Sequence, residues 1–204
     1  MSLLLQVNFW QQLKQWDQWW FMKLNNDLTN PVFDSIMRVL CNGSYWAPLY
    51  LFLAVFVLLN FKGNGGWWIL FFACTIAITD MGSTWLFNSF FDRLRPCRDT
   101  GLLFQVRLLL KQCPPGSGFI SNDAANYFSM AAFFFITFRP MVKKWLWIGF
   151  VWAGLIAYAQ VYTGVNYPLS VLAGVLFGLT VGLLSGKLFN KRHGFIIFGN
   201  QPVA

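Results

Sequence analysis

The stretch "PLSVLAGVLFGLTVGLLSG", Pro168–Gly186, contains no charged residue and is about as long as the roughly 20 helical residues that cross a bilayer core. Gly174, Gly178, Gly182 and Gly186 recur at every fourth position, so one face of the helix is bare backbone. A face of that kind lets another helix approach closely, either from the same chain or from a partner chain.

The rest of the chain has the same character. Of its 204 residues, 57% are hydrophobic, 20% aromatic and only 11% charged, whereas about 25% charged residues is usual for a soluble globular protein. So few charges cannot solvate a globular surface, and the composition places the chain in a membrane. Working outward from Pro168–Gly186, further apolar stretches fall at Tyr45–Phe61, Trp67–Phe91, Gly118–Phe138 and Trp145–Tyr162. The first is short unless it begins at Asn42. Together these segments predict five membrane spans.

Residues 6–41 follow another pattern. Lys14, Asp17, Lys23, Asp27, Asp34 and Arg38 interrupt the apolar positions too often for a simple crossing, while Trp10, Trp16, Trp19, Trp20 and Phe21 favour a membrane–water interface. The pattern predicts two short interfacial helices broken at "NNDLTNP", with Asn30 and Pro31 opening the second. A sixth, irregular span is the competing expectation. The start "MSLLLQVNFWQQLKQW" has no basic residue before its apolar run and no small-residue cleavage site, so no secretory signal is expected. The expected fold is an all-α integral membrane bundle of five to six transmembrane helices. Residues 1–41 would form interfacial or irregular membrane helices, 42–190 the bundle with an outer loop at 92–117, and 191–204 a cytoplasmic tail.

Basic residues give an orientation. Lys62, Arg139, Lys143, Lys144, Lys187, Lys191 and Arg192 all fall on one side when the spans alternate, and that side is expected to be the cytoplasm. The opposite side carries Arg93, Arg95, Arg98, Arg107 and Lys111 against Asp92 and Asp99. This second basic excess implies either an anionic ligand or contact with lipid phosphates. Cys97 and Cys113 share that side, where a disulfide closing the loop would add roughly 3 kcal/mol. Cys41 has no evident partner, and Cys74 reads as a small packing residue. With no CxxC spacing and no haem or iron–sulfur signature, no metal or other cofactor is expected, and no nucleic-acid partner. His193, the only histidine, falls in the basic tail and is expected to be solvated. Asp80 is an intramembrane carboxylate, expected to bond Thr79, Ser83 or Thr84 across a helix contact.

Three polar patches fall at the outer ends of spans: "NSFFDRLRPCRD" (88–99), "GFISNDAAN" (118–126) and "AQVYTGVNYPLSVLAG" (159–174). Their frame and spacing resemble the three motifs of the type 2 phosphatidic acid phosphatases, membrane enzymes that remove phosphate from lipid phosphates and pyrophosphates, and most closely their short Bacteroidota members. In that family a histidine attacks phosphorus, an aspartate orients it, a second histidine protonates the leaving oxygen, and a lysine and two arginines hold the phosphate. The resemblance places these roles at Asn166, Ser170, Asp123, Asn88, Arg95 and Gln160, of which Arg95 alone keeps the family's residue type. The amide nitrogen of Asn166 is delocalised and cannot form a phospho-enzyme. Asn88 and Gln160 lack the charge that would stabilise a transferring phosphoryl group, and one lost donor of this kind typically costs ~3 kcal/mol.

The resemblance therefore implies a member whose chemistry has been removed. Arg95, Ser121 and Asn122 would retain an anion-binding frame. Asp123, at the start of a helix, would stand in for the missing phosphate by pairing with Arg95; a nucleophilic Asp123 is the other possibility. The expected function is a non-catalytic, phosphatase-like protein of a bacterial inner membrane, its site facing the periplasm. It would bind a lipid phosphate or join a membrane-protein complex, with membrane lipids as constant partners. The alternative is an active lipid phosphatase with a diverged mechanism.

Overall fold

The computed structural model of the chain describes residues 2–27, 29–87, 93–102 and 104–195. Those residues form six α-helices: α1 (Ser2–Met22), α2 (Pro31–Leu40), α3 (Ala47–Met81), α4 (Asn122–Val142), α5 (Trp147–Tyr162) and α6 (Pro168–His193). No strand occurs among them, and the all-helical membrane bundle stands. Among the described residues three segments are long and apolar enough to cross a membrane, Gly43–Phe61, Gly63–Trp85 and Pro168–His193. α5 is apolar but shorter at 16 residues. α4 begins at Asn122, later than the expected Gly118, and Asn122, Asp123, Asn126 and Ser129 make its first turns polar.

The bundle is organised by the α4–α6 contact. A Cβ added to Gly174 would lie 2.5 Å from the carbonyl oxygen of Ser121, one on Gly178 2.1 Å from that of Ala125, and one on Gly182 2.3 Å from that of Ser129. Both partners advance four residues at a time in the same direction, so α4 and α6 run parallel and in register. Their backbones touch because nothing larger than hydrogen stands on the α6 side and only serine or alanine on the other. The glycine face is thus occupied within the chain. α6 continues to His193, beyond the boundary expected at residue 190. His193 is stacked on Trp67, with ring centroids 4.5 Å apart, and is not simply solvated.

The helical backbone of α3 is unbroken in hydrogen bonding but not straight. Eight residues of straight helix rise about 12 Å, yet a Cβ on Gly65 would come within 2.5 Å of the Val57 carbonyl oxygen. The chain therefore folds back around Phe61–Gly65, giving the two arms expected from sequence. Val57 and Trp68 pack with Phe133, Phe138 and Phe189 beneath this turn, and Trp68 Nε1 donates to Thr137 at 3.0 Å. Cys74 lies on an exposed face of the second arm, which corrects its reading as a packing residue.

The amino-terminal helices are knitted to the opposite end of the bundle. Asn30 caps α2 by accepting from the Val32 N–H at 2.9 Å, and Pro31 opens the helix. Asn25 is fully buried; its Nδ2 donates to the carbonyls of Arg107 and Tyr162, and its Oδ1 accepts from Arg107 N. Asp34 accepts the Tyr162 hydroxyl at 2.7 Å, and its two oxygens accept from the one Arg107 Nη1 at 2.7 and 2.8 Å. The buried Asp17 carboxylate of α1 accepts from the Leu169 N–H at 2.8 Å, capping α6 from another helix, and pairs with Arg93. Two of the charges that interrupt the amino-terminal pattern, Asp17 and Asp34, are therefore tertiary ties.

Gly178→Ala is expected to cost about 3 kcal/mol or more, because its methyl would overlap a backbone carbonyl that cannot move aside. Gly154→Ala, with open space at its Cβ, should be neutral or stabilising by about 0.5–1 kcal/mol. Thermal unfolding in detergent distinguishes the two. The Tyr162 hydroxyl, and then the Arg107 guanidinium, hold the Asp34 carboxyl below its ordinary value of 3.8. A carboxylate lowered in the native state stabilises the fold above pH 3.8 and loses that contribution as pH falls further towards its native value. The melting temperature of Asp34→Asn should lie below wild type at neutral pH, and the gap should narrow at about pH 3.

Candidate functional site

The site is built where the amino-terminal ends of α4 and α6 lie side by side. Ser121 N donates to the Ser170 carbonyl at 3.0 Å, and Ser170 Oγ donates to the Gly118 carbonyl. Gly118 N donates in turn to the Arg93 carbonyl at 2.6 Å. A Cβ at Gly118 would lie 3.0 Å from Arg95 Cα, so glycine lets the two strands of loop pass each other. Arg95 is extended, ahead of a short turn at Pro96–Arg98 whose Cys97 is disulfide-bonded to Cys113. Ser121 caps α4, its hydroxyl accepting from Ala124 N at 3.3 Å.

The turn after α5 delivers the other groups. Gly164 adopts φ +84°, a left-handed conformation that favours glycine, and a Cβ there would also strike the Arg107 carbonyl at 2.8 Å. Val165 N and Asn166 N both donate to the Gln160 carbonyl at 3.1 Å. Asn166 is thereby folded back beside the Gln160 side chain.

A continuous polar chain results. Arg95 Nη1 donates to Asn166 Oδ1 at 3.0 Å; Asn166 Nδ2 donates to Ser121 Oγ and to Gln160 Oε1, each at 3.2 Å; Gln160 Nε2 donates to Asp123 Oδ2 at 2.7 Å. Arg95, Ser121, Gln160, Asn166 and Ser170 are all buried, Arg95 being 8% exposed. Burial pulls the Arg95 guanidinium below its ordinary value, and the charge of Asp123 opposes that shift. Its Nε has no hydrogen-bond partner among the described residues.

The expected Arg95–Asp123 ion pair is not formed. Among the described residues the two charges are joined through Asn166 and Gln160. Asp123 lies at an exposed position in the first turn of α4. The Asp80 carboxylate reaches α4, its Oδ1 accepting from Asn126 Nδ2 at 3.2 Å, while the expected Ser83 hydroxyl donates to the Asp80 backbone carbonyl at 3.1 Å. Asn122 Nδ2 donates to Thr84 Oγ1 at 2.6 Å, tying the start of α4 to the end of the second α3 arm. Asn88 lies outside the described residues. Sequence reasoning missed Asn126, whose place in "GFISNDAAN" was its one signal, and Asp17, which supports the site by holding Arg93 and the start of α6.

Neither serine hydroxyl of the cluster is hydrogen-bonded to an imidazole or a carboxylate: Ser170 donates to a backbone carbonyl, and Ser121 accepts from an amide and a backbone N–H. The cluster positions one buried guanidinium and ties it through two amides to one carboxylate.

A membrane bundle with its polar groups gathered at the paired starts of two parallel helices defines the class: helical membrane proteins of the lipid-phosphatase architecture. Residues 65–193 match the model of the PAP2 superfamily, and the chain belongs to that superfamily. It is 31% identical over 159 residues to a lipid A 4′-phosphatase of Bacteroides thetaiotaomicron, an alignment covering 75% of this chain and 68% of that protein. The crystal structure of Aquifex aeolicus LpxE matches with a TM-score of 0.59 at 27% identity, covering 81% of this chain and 92% of the other. A PAP2-type phosphatidylglycerolphosphate phosphatase from Bacillus subtilis shares the fold with a TM-score of 0.64 at 22% identity, covering 93% and 90%.

Asn166→Ala removes the acceptor from Arg95 Nη1 and should destabilise the protein by about 1.5–3 kcal/mol, the range for a hydrogen bond to a charged group. Thermal unfolding of the purified variant measures this.

Proposed function

We propose that the chain is a non-catalytic member of the superfamily that binds the phosphate of a lipid through Arg95, alone or as a subunit of a membrane assembly. The observation that carries this reading is the amide chain from Arg95 through Asn166 and Gln160 to Asp123. Two carboxamides stand where the resemblance calls for a nucleophilic imidazole and a phosphate-holding guanidinium. A carboxamide offers neither a nucleophilic nitrogen nor a positive charge. Arg95 retains an unpartnered Nε, a donor suited to a phosphate oxygen. The reading takes the membrane to be the bacterial cytoplasmic membrane with the Arg95 end outward. Arg139 in the last turn of α4 and Lys191 and Arg192 in the last turn of α6, at the opposite end, support that orientation.

The purified protein in detergent should release no phosphate from polyprenyl pyrophosphate, phosphatidic acid or lipid A. Phosphate release that Asp123→Ala abolishes would overturn the proposal and establish a diverged enzyme. In the converse experiment, Asn88→Lys, Asp123→His, Gln160→Arg, Asn166→His and Ser170→Asp are combined; recovered release is the expected result on an intact scaffold.

A further inference from the structure

Two adjoining cavities lie on the amino-terminal side of the bundle, between α1 and the start of α6. One, of about 620 Å³, is walled by Phe9, Leu13, Trp16, Trp20, Leu169 and Leu172. The other, of about 390 Å³, is bounded by Lys14, Arg93, Asp99 and Tyr167 together with aromatic and aliphatic side chains. Leu13 and Leu169 line both, so an apolar trough opens directly onto a charged chamber. Both volumes fall within the roughly 300–1,000 Å³ usual for small-molecule sites.

The charges in the chamber differ in their freedom. Arg93 is paired with Asp17 and lies over the Tyr167 ring at 4.3 Å. Asp99 accepts the Tyr167 hydroxyl at 2.9 Å and the Gly101 N–H at 3.1 Å, and among the described residues its negative charge forms no ion pair. Lys14 is exposed and forms no ion pair among the described residues. The chamber therefore offers one unneutralised cation and one unneutralised anion beside an apolar trough.

We infer that this crevice holds a resident zwitterionic phospholipid of the phosphatidylethanolamine class, with its phosphate at Lys14, its ammonium at Asp99 and an acyl chain along the trough. A purely anionic headgroup would satisfy Lys14 but meet the Asp99 carboxylate, and a neutral glyceride would leave both charges unmatched. Arg95, Ser121, Asp123, Gln160 and Asn166 line neither cavity. The inference therefore stands apart from the proposed function.

The full chain, delipidated in detergent, is titrated with phosphatidylethanolamine, phosphatidylglycerol, diacylglycerol or inorganic phosphate while thermal unfolding is followed; native mass spectrometry counts bound lipid. Phosphatidylethanolamine should give the largest rise in melting temperature, with one molecule retained per chain. Leu172→Trp, at an exposed position where added bulk fills the trough, should abolish that rise while leaving the lipid-free melting temperature near wild type. Lys14→Glu should weaken phosphatidylethanolamine binding by roughly tenfold or more. Equal rises with diacylglycerol or phosphatidylglycerol, a rise with inorganic phosphate alone, or an unchanged rise in both variants would overturn the inference. So would a second copy of the chain, released by Leu172→Trp, in place of lipid.

Discussion

Direct backbone contact between α4 and α6 is the constraint on which the other features rest. Positions 174, 178 and 182 meet 121, 125 and 129 with less than a methyl group to spare. Each contact sets two backbones against one another, and repeated in register they hold the helices together over two turns. Because the helices are parallel, their amino-terminal ends coincide, and Ser121 is brought to Ser170. The polar cluster is thus a consequence of helix packing: the second and third sequence motifs meet there because glycine allows their helices to touch.

The cluster itself shows how amides can bridge a buried guanidinium and a carboxylate. A buried charged group requires partners, since an unpaired polar group in a low-dielectric interior is costly. Asn166 and Gln160 supply donors and acceptors in alternation, so every junction from Arg95 to Asp123 joins a donor to an acceptor. An imidazole at 166 would present one acceptor nitrogen at most, and an arginine at 160 none. The amides fit because each carries both functions on one planar group.

Much of this organisation was legible in the sequence because it rests on periodicity and local chemistry. The four-residue glycine repeat, the Asn30–Pro31 helix start and the spacing of the three motifs each depend on residues close in the chain. The reversal within α3 was legible from the charge of Lys62, which falls between the apolar stretches Tyr45–Phe61 and Trp67–Phe91. Pairings between distant segments were not. Arg95 and Asp123 look like natural partners when only charges are compared, but the folding back of Asn166 onto Gln160 depends on the Gly164 turn and interposes two amides. His193 gave no sign of Trp67, because the α3 reversal and the carboxyl end of α6 meet only in the folded bundle.

Part of the basic excess of the 93–111 loop is balanced within the chain. Arg93 pairs with Asp17, Arg107 takes both oxygens of Asp34, and Arg95 is held by Asn166. Two of these arginines are neutralised by carboxylates on α1 and α2, from a part of the chain whose charges seemed to mark only a surface location. The two departures from expected patterning, acidic residues among amino-terminal tryptophans and arginines on the outer loop, are therefore two halves of one set of ties. Loop and amino-terminal segment each carry charge that the other cancels at these two pairs. The loop in turn carries Arg95, so the contacts that hold the loop to α1 and α2 also support the placement of Arg95 in the site.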